Sequence, residues 1–62
     1  MATTDRLEAA YELGYDIGVI RAGDPTYDVR FDMADAAREG KAYFAEFKAG
    51  LEAAMREKRE EA

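Results

Sequence analysis

Met33-Ala34-Asp35-Ala36-Ala37-Arg38-Glu39-Gly40-Lys41-Ala42-Tyr43-Phe44-Ala45-Glu46-Phe47-Lys48-Ala49-Gly50-Leu51-Glu52-Ala53-Ala54 is the stretch whose reading decides the fold. Within it Met33, Ala37, Gly40, Phe44, Phe47, Leu51 and Ala54 recur in alternating steps of four and three residues, the spacing of a helix with one apolar seam. Ala36, Tyr43 and Met55 fall on the same side. The phase carries through Gly40, so the spacing predicts one long helix over about 33–59, bent at a glycine that costs about 1 kcal/mol relative to alanine. Beyond the stripe, Arg56-Glu57-Lys58-Arg59-Glu60-Glu61 reads as a solvated, fraying end.

A second pattern precedes it. Leu7, Ala10, Tyr11, Gly14, Ile17 and Gly18 recur at three- and four-residue steps, widened by Ala9, Leu13 and Ile20. Thr4 and Asp5 are N-cap candidates, Glu8 is placed to close a capping box, and Gly23 with Asp24-Pro25 ends the run. A helix over about 4–22 follows, with Ala10, Gly14 and Gly18 forming a ridge of small residues that seats the second helix. In the connector, 23–32, two signals compete. Asp24-Pro25 suits a helix start, whereas Tyr27, Val29 and Phe31 alternate with Asp28 and Arg30 as in a half-buried strand. Residues 25–31 are therefore read as a helical turn or irregular connector, with a strand as the alternative. The expected fold is a single all-α domain over 1–62, an antiparallel two-helix hairpin with a structured connector, dimerising into a four-helix arrangement.

Dimerisation follows from size. A chain of 62 residues buries only about 60% of its unfolded surface, and cysteine and histidine are both absent, which removes disulfides and zinc as supplements. Association remains. The expected self-association residues are Phe44, Phe47, Leu51 and Met55. No apolar run approaches the ~20 residues of a membrane span, and the first residues carry neither a basic region nor an apolar stretch. A cytoplasmic location without membrane contact is expected.

Catalysis is not expected. Histidine, cysteine, serine, tryptophan, asparagine and glutamine are all missing, which excludes the Ser–His and Cys–His nucleophilic systems and imidazole bases. Asp24, Asp28 and Asp32 do not follow the calcium-loop spacing, and no glycine motif sits where a phosphate would need it. Neither a cofactor nor a metal is predicted.

Charge is more informative. Residues 5–35 hold eight acids against three bases, whereas residues 36–62 hold six of each, so the net charge of −5 lies in the first half. Glu8, Glu12 and Asp16 are spaced by four, about 6 Å apart on one helix face, with no lysine placed to pair with them. Asp24, Asp28, Asp32 and Asp35 continue the series. A polar face keeps a small protein soluble, and that is the plain alternative. Unpaired acids gathered in one half also create a field that attracts a basic groove, of the kind nucleic-acid-handling proteins carry. These seven acids are the candidate partner-binding residues. The expected partner is a basic nucleic-acid-handling protein or complex, with no direct DNA binding.

In size, charge and lack of catalytic residues the chain resembles phage-encoded inhibitors, including anti-CRISPR proteins and other DNA mimics. That resemblance implies a non-enzymatic inhibitor acting in a host bacterial cytoplasm. A motif-level resemblance points elsewhere. Arg6-Leu7-Glu8, Gly14-Tyr15-x-x-Gly18, Pro25-Thr26-Tyr27 and Gly50-x-x-x-Ala54-Met55 are similar to the ribosome modulation factor family, although Thr26 splits the Pro-Tyr pair and Phe47 stands where that family has Trp. Membership there implies ribosomal RNA contact through a basic flank, here Arg38, Lys41, Lys48, Arg56 and Arg59; the alternative for that flank is an ordinary solvated face. Tyr11, Tyr15 and Tyr27 are further candidate interface anchors.

Overall fold

A computed structural model describes residues 3–61, with side chains from residue 5 onward. Three helices follow one another, α1 (Thr3–Gly23), α2 (Arg30–Arg38) and α3 (Lys41–Glu61), with no strand among the described residues. The all-α expectation holds, and α1 matches its predicted span within a residue at each end. Thr4 and Asp5 lie inside its first turn instead of capping it, so the cap falls outside the described residues. Asp5 there still favours the positive helix end.

The long second helix is corrected to two. Glu39 and Gly40 N–H groups donate to the carbonyls of Ala36 (3.1 Å) and Ala37 (3.2 Å), tightening the last turn of α2. Gly40 then takes φ +114°, a conformation that side-chain-bearing residues rarely adopt, and the chain breaks away. Its carbonyl accepts the first α3 hydrogen bond, from Phe44 N–H at 3.0 Å. Met33, Phe44, Phe47, Leu51 and Ala54 of the predicted stripe do face the core from two helices, but Ala37 and Gly40 are exposed and Ala36 is buried in their place.

The antiparallel hairpin is corrected as well. Gly14 lies against Phe47, Gly18 against Leu51 and Ala54, and Gly50 against Tyr11 and Tyr15. Near the start of α1, Arg6 reaches Glu39 and Tyr43; near its end, Arg21 and Ala22 share a cleft with Lys58 and Arg59. Residue numbers rise together on the two helices, so α1 and α3 run parallel. The connector and α2 form the return stroke, carrying the chain from the end of α1 back to the start of α3. Parallel packing aligns two macrodipoles unfavourably, and Arg21, Lys58 and Arg59 in the last turns offset the doubled negative end.

The α1–α3 seam is built from small residues. Ala10, Gly14 and Gly18 are buried on one helix and Gly50 and Ala54 on the other, as the predicted ridge required. A Cβ at Gly18 would stand 2.6 Å from the Leu51 carbonyl oxygen, and one at Gly14 or Gly50 would collide with the backbone of the facing helix. The helices thus approach backbone to backbone, a geometry known for small-xxx-small pairs. Phe47, fully buried, and Leu51 join Ile17 and Ala36 in the core, with Tyr27, Val29, Met33, Tyr43 and Phe44 packed around them.

The connector is shaped by its aspartates. The Asp24 carboxylate accepts from Thr26 N–H (3.1 Å) and Thr26 Oγ1 (2.6 Å), and Tyr27 N–H closes the turn on the Asp24 carbonyl at 3.0 Å. Four residues on, the Asp28 carboxylate accepts from Arg30 N–H at 2.9 Å and so serves the N-terminus of α2. The open choice at residues 25–31 resolves to a turn, an irregular stretch and the first residues of α2.

Candidate interaction surface

On α1, the residues facing α3 define one side, and Glu8, Glu12 and Asp16 stand on the opposite one. All three are exposed, and none has a cation within 4.0 Å among the described residues. The three bases of the acidic half are directed elsewhere. Arg6 turns across to α2–α3, where it pairs with the Glu39 carboxylate, donates to the Glu39 carbonyl at 3.1 Å and lies 4.8 Å from the Tyr43 ring centroid. Arg21 sits at the far end beside Lys58 and Arg59. Arg30 forks onto Asp28, at 2.8 Å from Nη2.

The remaining candidate acids are not one continuous series. Asp24 and Asp28 are engaged in the turns they build. Hydrogen bonds from the Thr26 hydroxyl and N–H hold the Asp24 carboxyl below its ordinary range, and the Arg30 side chain and N–H lower Asp28 to about 2. Asp32 is half-buried and accepts from Tyr27 Oη at 2.9 Å, which raises the tyrosine's pKa. Asp35 is exposed and lies 3.6 Å from Arg38.

Asp32 and Asp35 converge with Glu39, which was not among the candidate acids. Together with Leu13, Ala36, Tyr43 and Phe47 they line a cleft of about 150 Å³ where α2 faces α1 and α3. Among the described residues no three carboxylates are disposed to hold a metal ion. The cleft is thus lined by apolar side chains and carboxylates together. Asp32, Asp35 and Glu39 follow one another by three and four residues on α2 and its C-cap, so helical spacing alone places them on one face.

Of the four residues expected to mediate self-association, Phe47 and Leu51 are enclosed by α1 within the chain itself. Phe44 is half-buried on the core, and Met55 is 36% exposed. Large apolar side chains do reach solvent, but mostly elsewhere: Leu13, Ile20 and above all Phe31, at 76% exposure. Leu13 and Ile20 were readable as too many apolar residues for one stripe.

The tyrosines divide by role. Tyr15 donates to the Glu57 carboxylate, tying α1 to α3 and raising its own pKa; Tyr27 is held by Asp32; Tyr11 is 38% exposed beside the seam. At the C-terminal end of the two long helices, Arg21, Lys58 and Arg59 surround an open cleft of about 330 Å³ with Ala22 and Met55. No helix is long and apolar enough to cross a membrane among the described residues. Compared with family models, curated proteins and solved structures, the chain finds no match.

Proposed function

We propose that the protein is a non-enzymatic inhibitor of the anti-CRISPR kind, which blocks a nucleic-acid-binding complex by presenting carboxylates where phosphates would lie. One observation carries the reading: Glu8, Glu12 and Asp16 stand unpaired on the outer face of α1 while Arg6, Arg21 and Arg30 are all turned away. Here three negative charges are spread over about 12 Å of a rigid helix, on the side opposite its packing face. Such a face raises the association rate with a basic groove and competes with its nucleic acid.

The test is charge reversal. Glu8→Lys, Glu12→Lys and Asp16→Lys together leave the fold unchanged by circular dichroism, because none of the three packs on the core. Inhibition of DNA binding, measured over a panel of CRISPR effector complexes, is lost, and the unmodified protein's inhibition weakens as salt rises. Undiminished inhibition by the reversed protein would end the DNA-mimic reading.

One feature favours a second reading, a ribosome-associated factor contacting RNA: the cluster of Arg21, Lys58 and Arg59. That reading expects co-sedimentation with ribosomes, abolished by reversing these bases and untouched by reversing the α1 acids.

A further inference from the structure

The groove between α1 and α2 is accounted for neither by the α1–α3 seam nor by the outer acids of α1. α2 makes its helix contacts chiefly with α3, and its other side is left open. Large apolar side chains of α1 and α2 stand in solvent nearby, and Leu13 lines the cleft itself. Leu13 (45% exposed) and Ile20 (46%) are seven residues apart and share a face of α1. Phe31 lies one turn before Asp35 on α2. Leu13 thus adds exposed apolar surface to a carboxylate-lined cleft, and Phe31 stands one turn from one of its acids.

We propose that this groove docks a basic amphipathic segment of the partner, with one Arg or Lys side chain entering the 150 Å³ cleft and large apolar residues beside it covering Leu13 and Phe31. The proposal rests on the reading that the protein acts by binding a basic partner, and it names where and through what chemistry. Charge complementarity selects the occupant. Asp32 has only the Tyr27 hydroxyl as a partner and no cation within 4.0 Å among the described residues. The Asp35–Arg38 pair is 3.6 Å long with both side chains more than 70% exposed, so an incoming cation displaces it cheaply. An aliphatic stem suits Leu13, Ala36 and Phe47, and a charged head suits the carboxylates. A second copy is disfavoured, because it brings another net −5 and the same carboxylates.

The probe is a synthetic helical peptide with leucine on one face and arginine on the other. Its controls are a Glu-for-Arg version and a Ser-for-Leu version. Titrated at about 150 mM salt into the ¹⁵N-labelled full chain, the Arg/Leu peptide is expected to shift the amides of Leu13, Phe31, Asp32 and Asp35, and both controls to fail. Phe31→Gln with Leu13→Gln weakens binding by roughly tenfold or more, since two apolar side chains lose their cover. Asp32→Asn with Asp35→Asn weakens it similarly, and Glu8→Lys with Glu12→Lys and Asp16→Lys far less. Shifts centred on Glu8, Glu12 and Asp16, or equal binding of the Ser-for-Leu peptide, would show general attraction and overturn the proposal. So would a dimer, seen by sedimentation, that Phe31→Gln dissociates without any peptide response, because the occupant is then a second copy. Failure of the groove variants while the outer-face reversal still abolishes inhibition leaves the proposed function standing and removes only the groove.

Discussion

The two sides of α1 are built on opposite principles. Toward α3 it offers Ala10, Gly14 and Gly18, and the contact is backbone against backbone, with no buried polar or charged side chain among the described residues. Toward α2 it offers Leu13 to a helix that touches it only loosely, across a cleft lined with carboxylates. The first side has no room for change, whereas the second has little to lose by it. Stability in so small a chain therefore concentrates in the seam, which leaves the α2 side and the outer face of α1 free to carry recognition.

The sharpest way to break this comparison is to add one carbon to the seam. Gly14→Ala and Gly50→Ala each place a methyl group into the backbone of the facing helix, which no rotamer change relieves. Overpacking costs about 1–3 kcal/mol, occasionally more, against a total of only about 3–5 kcal/mol for a core this small. Loss of the cooperative thermal transition by circular dichroism is expected for both. Gly23→Ala is the control: nothing lies within 4 Å of its Cβ position, φ is not positive there, and the variant keeps or slightly raises the midpoint. If Gly14→Ala melts like the parent, the parallel seam is wrong.

The two phenylalanines Phe47 and Phe31 differ in the same way. Phe47→Ala empties the centre of the core and costs about 3–5 kcal/mol, whereas Phe31→Gln removes a side chain 76% exposed and stays within about 0.5 kcal/mol of the parent. Chemical denaturation of both variants tests it. Equal destabilisation would mean that α2 is clamped as firmly as α3.

Much of this was legible in the sequence, for stated reasons. Periodicity revealed α1 and the α3 face through Phe47, Leu51 and Ala54, because one buried stripe imposes its spacing whatever lies across from it. The small-residue ridge on α1 was legible for the same reason. Direction was not, since a stripe of small residues packs equally well against a helix running either way. The break at Gly40 was hidden because Met33, Phe44 and Phe47 face one core from two helices, while Ala37 and Gly40 fill the heptad positions between them without being buried. Equal length was hidden for the same reason: α1 and α3 are each 21 residues long and lie in register. The acidic series was visible as charge but not as three separate groups. Only the turns show that Asp24 and Asp28 are occupied in building the connector.

A smaller effect sits at that break. Gly40→Ala forces a side chain into φ +114° and costs about 1–2 kcal/mol, or drives α2 and α3 toward the continuous helix that the heptad spacing suggests. Amide exchange distinguishes the two: strain accelerates exchange across α2 alone, whereas fusion protects the Glu39–Lys41 amides. Unchanged stability and exchange would contradict the turn.

The smallest effect is one of pH, confined to the connector. The Asp28 carboxyl titrates at about 2 in the fold against an ordinary 3.8, because Arg30 donates to it from both side chain and backbone; the carboxyl of Asp24 is lowered by Thr26 in the same sense. A depressed folded-state pKa contributes stability that is present above the ordinary value and lost as pH falls through the folded one. The connector should therefore hold down to about pH 4 and loosen between about 4 and 2. The α1–α3 seam has no buried carboxylate to titrate, so helix content changes little over that range. The readout is the Arg30 amide resonance followed from pH 5 downward, with a midpoint expected near 2; Asp28→Asn keeps the acceptor oxygen and abolishes the titration. A midpoint at the ordinary aspartate value would show that Asp28 is not held by Arg30 in solution. It would then be free to act with the other candidate acids instead of shaping the turn.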